Sequence, residues 1–257
     1  MLNLKTLTTT FNLPLYPRQI PQFRGAVIEK VMRLKNEFVE ANISTDLFHN
    51  HCEDDTGLHY RYPLIQYQIR HKKASITGIN EGAKALGLFL QNNDGKLKME
   101  NQEHSFGMTG FPQIQHHEIR QLEEPKTYRL YKWLGLNQKN FEDYEKLDSL
   151  YEKVELIERI LQNHVIEMLR HLGKPVGEKW DIDLKIKDLH KVGWANVHGN
   201  KQRVFDLNFS ARVDLPMNAG LGRSTAFGFG KQIPHIERKP AKKDDLLTLE
   251  EVLKTES

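Results

Sequence analysis

The stretch FHNHCEDD, residues 48 to 55, sets His49 and His51 two positions apart. On an extended strand alternate residues share a face, so the two imidazoles would stand about 7 Å apart. Histidine ionises near a pKa of about 6.5, so at neutral pH one ring of such a pair can accept a proton while the other gives one. Two other readings of the same residues stay open: exposed hairpin positions, or part of a zinc site with Cys52 and Glu53. Against zinc stand the alternation of faces along a strand and the lack of a second ligand pair at metal spacing. The letters HNH also lack the ββ-metal surroundings of the nuclease motif they spell. The chain has twelve histidines, so isolated ones (His104, His164, His171, His190, His235) read as surface or core positions. His116 and His117 are adjacent and would point to opposite faces of a strand.

A second unusual stretch is GLGRSTAFGFG, residues 220 to 230, with glycine at four positions. Glycine takes up left-handed backbone and lets other groups approach the main chain. Three uses compete. A phosphate cradle of the P-loop or dinucleotide type needs a Lys-Ser/Thr pair or a helix starting at once, and FGFGKQIP cannot start one before Pro234. A packing role would make Gly220, Gly222, Gly228 and Gly230 contacts between backbone and sheet. The third use exposes main-chain amides beside Arg223, Ser224 and Thr225 to clasp a nucleic-acid backbone.

These residues need elements to hold them. Leu2, Leu4 and Leu7 begin a strand, and Phe23, Val27, Val31, Leu34 and Phe38 recur at helical spacing. Extended segments are expected at 46–51 and 61–70, then a helix after an Asn80 N-cap, then a strand at 96–106. That order predicts an α+β fold opening with a ferredoxin-like βαββαβ module over residues 1–110. The rest, 111–237, fits a second, degenerate copy carrying the glycine loop. Its strands are expected at 112–120, 126–134 and across WDIDLKIKDL, GWANVHG and RVFDLNFSARVDLP. A long helical insertion at 138–172 would have no counterpart in the first module and would serve as a dimer surface or a covering layer. Residues 238–257 read as a mobile tail or an isolated amphipathic helix.

Bulk properties narrow the classes. No apolar run approaches the roughly 20 residues that cross a bilayer, so no membrane partner is expected. MLNLKTLTTTFNL alternates like a strand and unlike a signal peptide, and Cys52 is the only cysteine, which together place the expected location in a reducing cytoplasm. The net charge of +3 is unevenly spread. Residues 139–170 hold five Lys/Arg against eight Asp/Glu, and residues 181–240 hold ten against six. The basic share therefore lies around the glycine loop and the segments before it, which fits either an anionic partner or a solvated surface with uneven charge.

AGLGRSTAFGFG after a strand is similar to the C-terminal glycine-rich loop of the CRISPR repeat-processing endoribonucleases, a family of the RAMP superfamily built from tandem ferredoxin-like modules. RYPLIQYQIRHKKASITGINEGAKAL resembles their N-terminal strand–strand–helix segment, in the branch labelled b, and the likeness runs from about residue 45 to 230. The spacing of His49 and His51 resembles the paired catalytic histidines of that branch. The resemblance implies cleavage of CRISPR repeat RNA without metal or other cofactor: the ribose 2′-OH attacks its phosphorus and leaves a 2′,3′-cyclic phosphate and a 5′-OH. It makes His49 and His51 the catalytic candidates, with Tyr60 as a third. Gly220, Gly222, Arg223, Ser224, Gly228, Gly230, Lys191, Arg203 and Arg212 become the RNA-binding candidates. A homodimer and a CRISPR effector complex are the further partners it suggests. The same superfamily includes subunits that hold guide RNA without cutting it, and these share the loop but need no histidine pair.

Overall fold

The structure is a computed structural model that describes residues 2–49, 51–54, 57–60, 62–174, 179–197 and 199–233, with only the main chain described over 51–54 and 57–60. Pro175 and the tail expected from residue 238 lie outside the described residues. In chain order the strands and helices are β1 (Leu2–Pro14), α1 (Ile20–Arg33), α2 (Lys35–Glu40), α3 (Asp46–His49), β2 (His51–Asp54), β3 (Gly57–Tyr60), β4 (Ile65–Arg70), β5 (Lys73–Ile79) and α4 (Glu81–Gln91). They continue with β6 (Lys96–Met99), β7 (Gln102–Ser105), β8 (Gln113–Ile119), β9 (Gln121–Trp133), α5 (Gln138–Lys146), α6 (Leu150–His171), β10 (Lys185–Val197), β11 (Asn200–Val213) and β12 (Lys231–Ile233).

The fold is mixed α/β with antiparallel sheets. One sheet has the order β4-β5-β1-β8 and the other β10-β11-β9-β12. Counted by chain order within each sheet, both read second, third, first, fourth. The comparison changes the meaning of two segments. Helices α5 and α6 lie between the first and second strands of their sheet, the place α1 takes in the other, so the helical region at 138–172 does have a counterpart. The place of α4, between third and fourth strands, holds the glycine loop and a single 3-10 turn, Thr225–Phe227.

Two strand expectations change as well. Residues 96–106 form the separate β6–β7 hairpin, and the first sheet is closed by β8, which pairs with β1 from Leu2↔Ile119 to Thr8↔Gln113. The first sheet thus runs to Ile119, past the border expected at 110. Asn80 stands at the start of α4 with φ 49°, but its side chain does not cap the helix; its Oδ1 accepts from the Lys5 amide of β1 at 3.0 Å.

Apolar periodicity explains the layers. Phe23, Val27 and Val31 of α1, Phe38 of α2 and Phe89 of α4 pack with Phe11, Phe48 and Phe106 beneath the first sheet. On α6 the buried face is Leu156, Ile157, Ile160, Leu161, Val165, Met168 and Leu169, set against Phe205, Leu207 and Phe209 of β11. The Ser149 hydroxyl starts that helix by accepting from the Tyr151 amide, and Gly173 at φ +103° stands just past its end. The face of α6 is therefore a covering layer. Leu4, Ile79 and Ile119 of the first sheet join the same cluster, so the two cores touch.

Candidate functional site

His49 lies at the end of α3, not on a strand. The reason is local. Leu47 and Phe48 are adjacent and both buried, and a single helical turn sets both toward the first core. The Ser44 hydroxyl accepts from the Asp46 amide at 3.1 Å and Phe48 donates to the Thr45 carbonyl, closing one helical turn. His51 then opens β2. Expected spacing along one strand is replaced by a helix end and a strand start. The β2–β3 register sets His51 directly opposite Tyr60 and Cys52 opposite His59. The backbone therefore brings two of the three catalytic candidates side by side, while the side chains of 51–60 lie outside the described part.

The turn that carries His49 is fixed from below. Phe48 meets Phe38 and Phe89 edge-on at ring distances of 5.9 Å, and the Tyr67 hydroxyl donates to the Phe48 carbonyl at 3.4 Å. Arg24 of α1 donates through Nη2 to the His49 carbonyl. Its guanidinium carbon also lies 5.0 Å from the ring centre of Phe227 in the glycine loop. One arginine thus touches both stretches that the sequence singled out. Burial lowers its pKa from the usual arginine value, although the buried Tyr67 beside it acts the other way.

The glycine loop is a closed structure. Gly220 donates to Gln66 Oε1 at 2.9 Å and its carbonyl accepts from the Tyr62 hydroxyl at 2.8 Å. The amides of Leu221, Arg223, Phe227, Gly228 and Gly230 donate to the carbonyls of Gly230, Leu134, Ser224, Thr225 and Lys132. Six of the loop's amides are thus engaged inside the protein. Close packing accounts for the glycines: at Gly230, φ 63°, a Cβ would stand 1.8 Å from the Leu221 carbonyl oxygen. At Gly228, φ 79°, it would press on the Tyr67 carbonyl at 3.1 Å. Phe227 packs with the first core and Phe229 with Leu134, Val197 and Val204, so the loop staples the two sheets together.

The expected basic residues divide. Arg212 is spent on Asp181 and Asp183, at 3.3 and 3.4 Å. Arg203 pairs with Glu145 at 2.8 Å. Arg223 donates to the Leu136 carbonyl at 2.6 Å and to Gln202 Oε1 at 3.2 Å, yet no carboxylate among the described residues pairs with it. Ser224 holds a left-handed turn at φ 54°, and Lys191 is exposed on β10, at the edge of its sheet. The structure adds two cations. Arg70, ending β4, and Lys231, opening β12 directly after the loop, are both half-buried. Burial lowers both pKa values, and Lys231 is lowered further by the charge of Arg70. Neither has a carboxylate partner among the described residues, and Nε and Nη2 of Arg70 are buried without a hydrogen bond. The position of Lys231 next to Gly230 was the available signal; for Arg24 and Arg70 the sequence offered none.

Two other described histidines are held elsewhere, while His59 stands opposite Cys52 in the β2–β3 ladder and His235 lies outside the described residues. His164 is half-buried against Trp133, and desolvation with the nearby Arg223 charge pushes its pKa down to about 4. His117 bonds the Asp214 carbonyl at 2.9 Å.

Two family models divide the chain between them, the Cas6b N-terminal domain over residues 2–120 and the Cas6b C-terminal domain over residues 120–235. A stretch of 127 residues is 30% identical to an uncharacterised protein of Methanocaldococcus jannaschii, covering 49% of this chain and 84% of that protein. Two solved structures share the fold. A crystal structure of Cas6b aligns with a TM-score of 0.72 at 23% identity, covering 90% of this chain and 99% of the other. A crystal structure of the CRISPR RNA processing endoribonuclease Cas6b aligns with a TM-score of 0.62 at 21% identity, covering 90% and 98%. Matched along both halves, the chain belongs to the Cas6b family of CRISPR repeat-processing proteins.

Proposed function

We propose that this protein is the endoribonuclease that cuts CRISPR precursor RNA within its repeats, in the cytoplasm, by proton transfer alone. His49 and His51 form the acid–base pair, and Tyr60, opposite His51 in the ladder, stands by the reacting phosphate. One imidazole takes the proton of the ribose 2′-OH, and the oxygen forms a bond to the adjacent phosphorus. The bond from phosphorus to the 5′-oxygen breaks, and the second imidazole, as imidazolium, protonates that oxygen. The products are a 2′,3′-cyclic phosphate and a 5′-OH. Each transfer would contribute about 10²- to 10⁴-fold in rate. Cations near the pentacoordinate phosphorus would carry its added charge; the half-buried Arg70 and Lys231, lacking carboxylate partners among the described residues, fit that need.

The observation that carries this reading is the Arg24 link: its hydrogen bond to the His49 carbonyl and its contact with Phe227 tie the histidine turn to the glycine loop. The repeated strand order supports two tandem ferredoxin-like modules, the second with a loop in place of its second helix.

The test is incubation with the cognate repeat RNA in excess chelator. Cleavage should persist, give cyclic-phosphate ends, and stop when the sugar before the scissile phosphate is 2′-deoxy. The double variant His49→Ala/His51→Ala should bind without cutting. Loss of cleavage in chelator, or equal cutting of the deoxy substrate, would overturn the mechanism. Tight binding with no cleavage by the unaltered protein would make it a holding subunit.

A further inference from the structure

The β10–β11 hairpin carries an aromatic residue that folding has not used. Trp194 is 52% exposed, whereas Trp133 is fully buried. An indole left half in water is a costly surface unless something covers it. Its surroundings are ordered. Arg203, its cross-strand partner, lays its guanidinium over the ring at 4.1 Å from the centroid, and Phe141 of α5 meets the ring edge-on at 5.8 Å. Glu145 holds Arg203 in that pose at 2.8 Å.

Trp194, Arg203 and Phe141 line one side of a cleft of about 380 Å³, within the range of about 300–1,000 Å³ typical of small-ligand sites. The other side is Leu136, Asn137 and Gln138 at the start of α5, with Arg223 of the glycine loop and Lys201 and Gln202 of β11 completing it. Three cations line the cleft and no carboxylate does. Only Arg203 among them is neutralised within the described residues, by Glu145; the nearby Glu142 accepts instead from Gln138 Nε2 at 2.8 Å. A planar platform beside uncompensated positive charge matches a nucleotide, whose base stacks and whose phosphate is anionic.

We propose that this cleft is a binding site for one unpaired nucleotide of the RNA, its base against the Trp194–Arg203 pair and its phosphate toward Lys201 and Arg223. The site rests on the RNA-processing reading above and adds to it a specific demand: the nucleotide must be single-stranded, because a paired base does not present its face. Arg223 lines this cleft while Phe227, four residues on, lies against Arg24, so one loop spans from the nucleotide site to the histidine turn.

The experiment uses the full chain with His49→Ala and His51→Ala, titrated with a short unstructured oligoribonucleotide and, separately, with a blunt RNA duplex. The single strand should quench tryptophan emission, and Trp194→Phe should abolish the quench while keeping affinity near the parent's. Trp194→Ala should weaken single-strand binding roughly ten- to hundred-fold and leave duplex binding unchanged. Lys201→Ala, which leaves the Trp194–Arg203 stack in place, gives a second reading and should lower single-strand affinity with a shallower salt dependence. Unchanged single-strand affinity in Trp194→Ala, an equal loss for duplex, or a quench surviving in Trp194→Phe would each overturn the site. Its failure is separable from that of the cleavage mechanism. A protein that cuts repeat RNA but ignores Trp194 loses only this site, and one that binds through Trp194 but never cuts loses only the mechanism.

Discussion

Arg24 joins a catalytic candidate to the glycine loop without being named by any motif. Its hydrogen bond to the His49 carbonyl restrains a turn that α3 supplies with only four residues, and its guanidinium lies over the Phe227 ring. A charge-assisted hydrogen bond contributes about 1.5–3 kcal/mol, which at the transition state is roughly ten- to hundred-fold in rate. Arg24→Met keeps the aliphatic stem and removes the donor, so single-turnover cleavage should slow by about that factor, with RNA affinity changed far less. Arg24→Lys should recover part of the rate. A loss confined to affinity, or no recovery by lysine, would assign Arg24 to packing. At this scale the sequence was legible for what residue types can do and illegible for how they are held. Histidine chemistry could be read from FHNHCEDD, but Arg24 is one cation among 37 Lys/Arg, and only the fold sets it beneath residue 49.

At the scale of elements, periodicity was a good guide where one face is buried. The faces of α1 and α6 could be read as repeats of apolar residues, and so could the alternation in β1 and β11. It misled where two adjacent side chains are both buried, as at Leu47 and Phe48, because a single helical turn and a short strand are too brief to show a period. It also misplaced the strand that closes the first sheet. Residues 113–119 are mostly exposed, so β8 joins β1 through its backbone with little apolar pattern to announce it. The glycine loop could be recognised as special, but its use could not, since composition alone does not say whether amides face a ligand or one another. The structure favours packing, and the consequence is measurable. Gly230→Ala adds a Cβ overlapping the Leu221 carbonyl at a left-handed φ, and should cost about 1–3 kcal/mol of unfolding free energy or more. Gly95→Ala has the same kind of backbone, φ +77°, but nothing within 4 Å of the added carbon, so it should cost only about 1 kcal/mol. Denaturant midpoints of the two variants check the contrast; equal losses would mean that the loop yields and is not the rigid staple described.

At the scale of the whole molecule, the net charge of +3 says little, and the fold concentrates what there is. Arg212, prominent in the sequence as a basic strand residue, is neutralised by Asp181 and Asp183. Arg70, ending β4, and Lys231, opening β12, instead lie close enough for the charge of Arg70 to act on Lys231, and burial lowers the pKa of each. Holding two like charges in a half-buried seam opposes folding, and an RNA phosphate brought between them would relieve that opposition. Two measurements should therefore move in opposite directions. Lys231→Gln removes one of the repelling charges, so thermal stability should hold or rise slightly. The same substitution should weaken repeat-RNA binding and reduce the slope of log affinity against log salt by about one. Arg212→Gln should leave that slope unchanged, because its charge is already answered within the protein. If Lys231→Gln lowers stability and leaves the salt slope intact, the pair belongs to the fold and the RNA backbone runs elsewhere. A rise in stability joined to a shallower slope would identify the seam between the two sheets as the place where the protein keeps its charge for the nucleic acid.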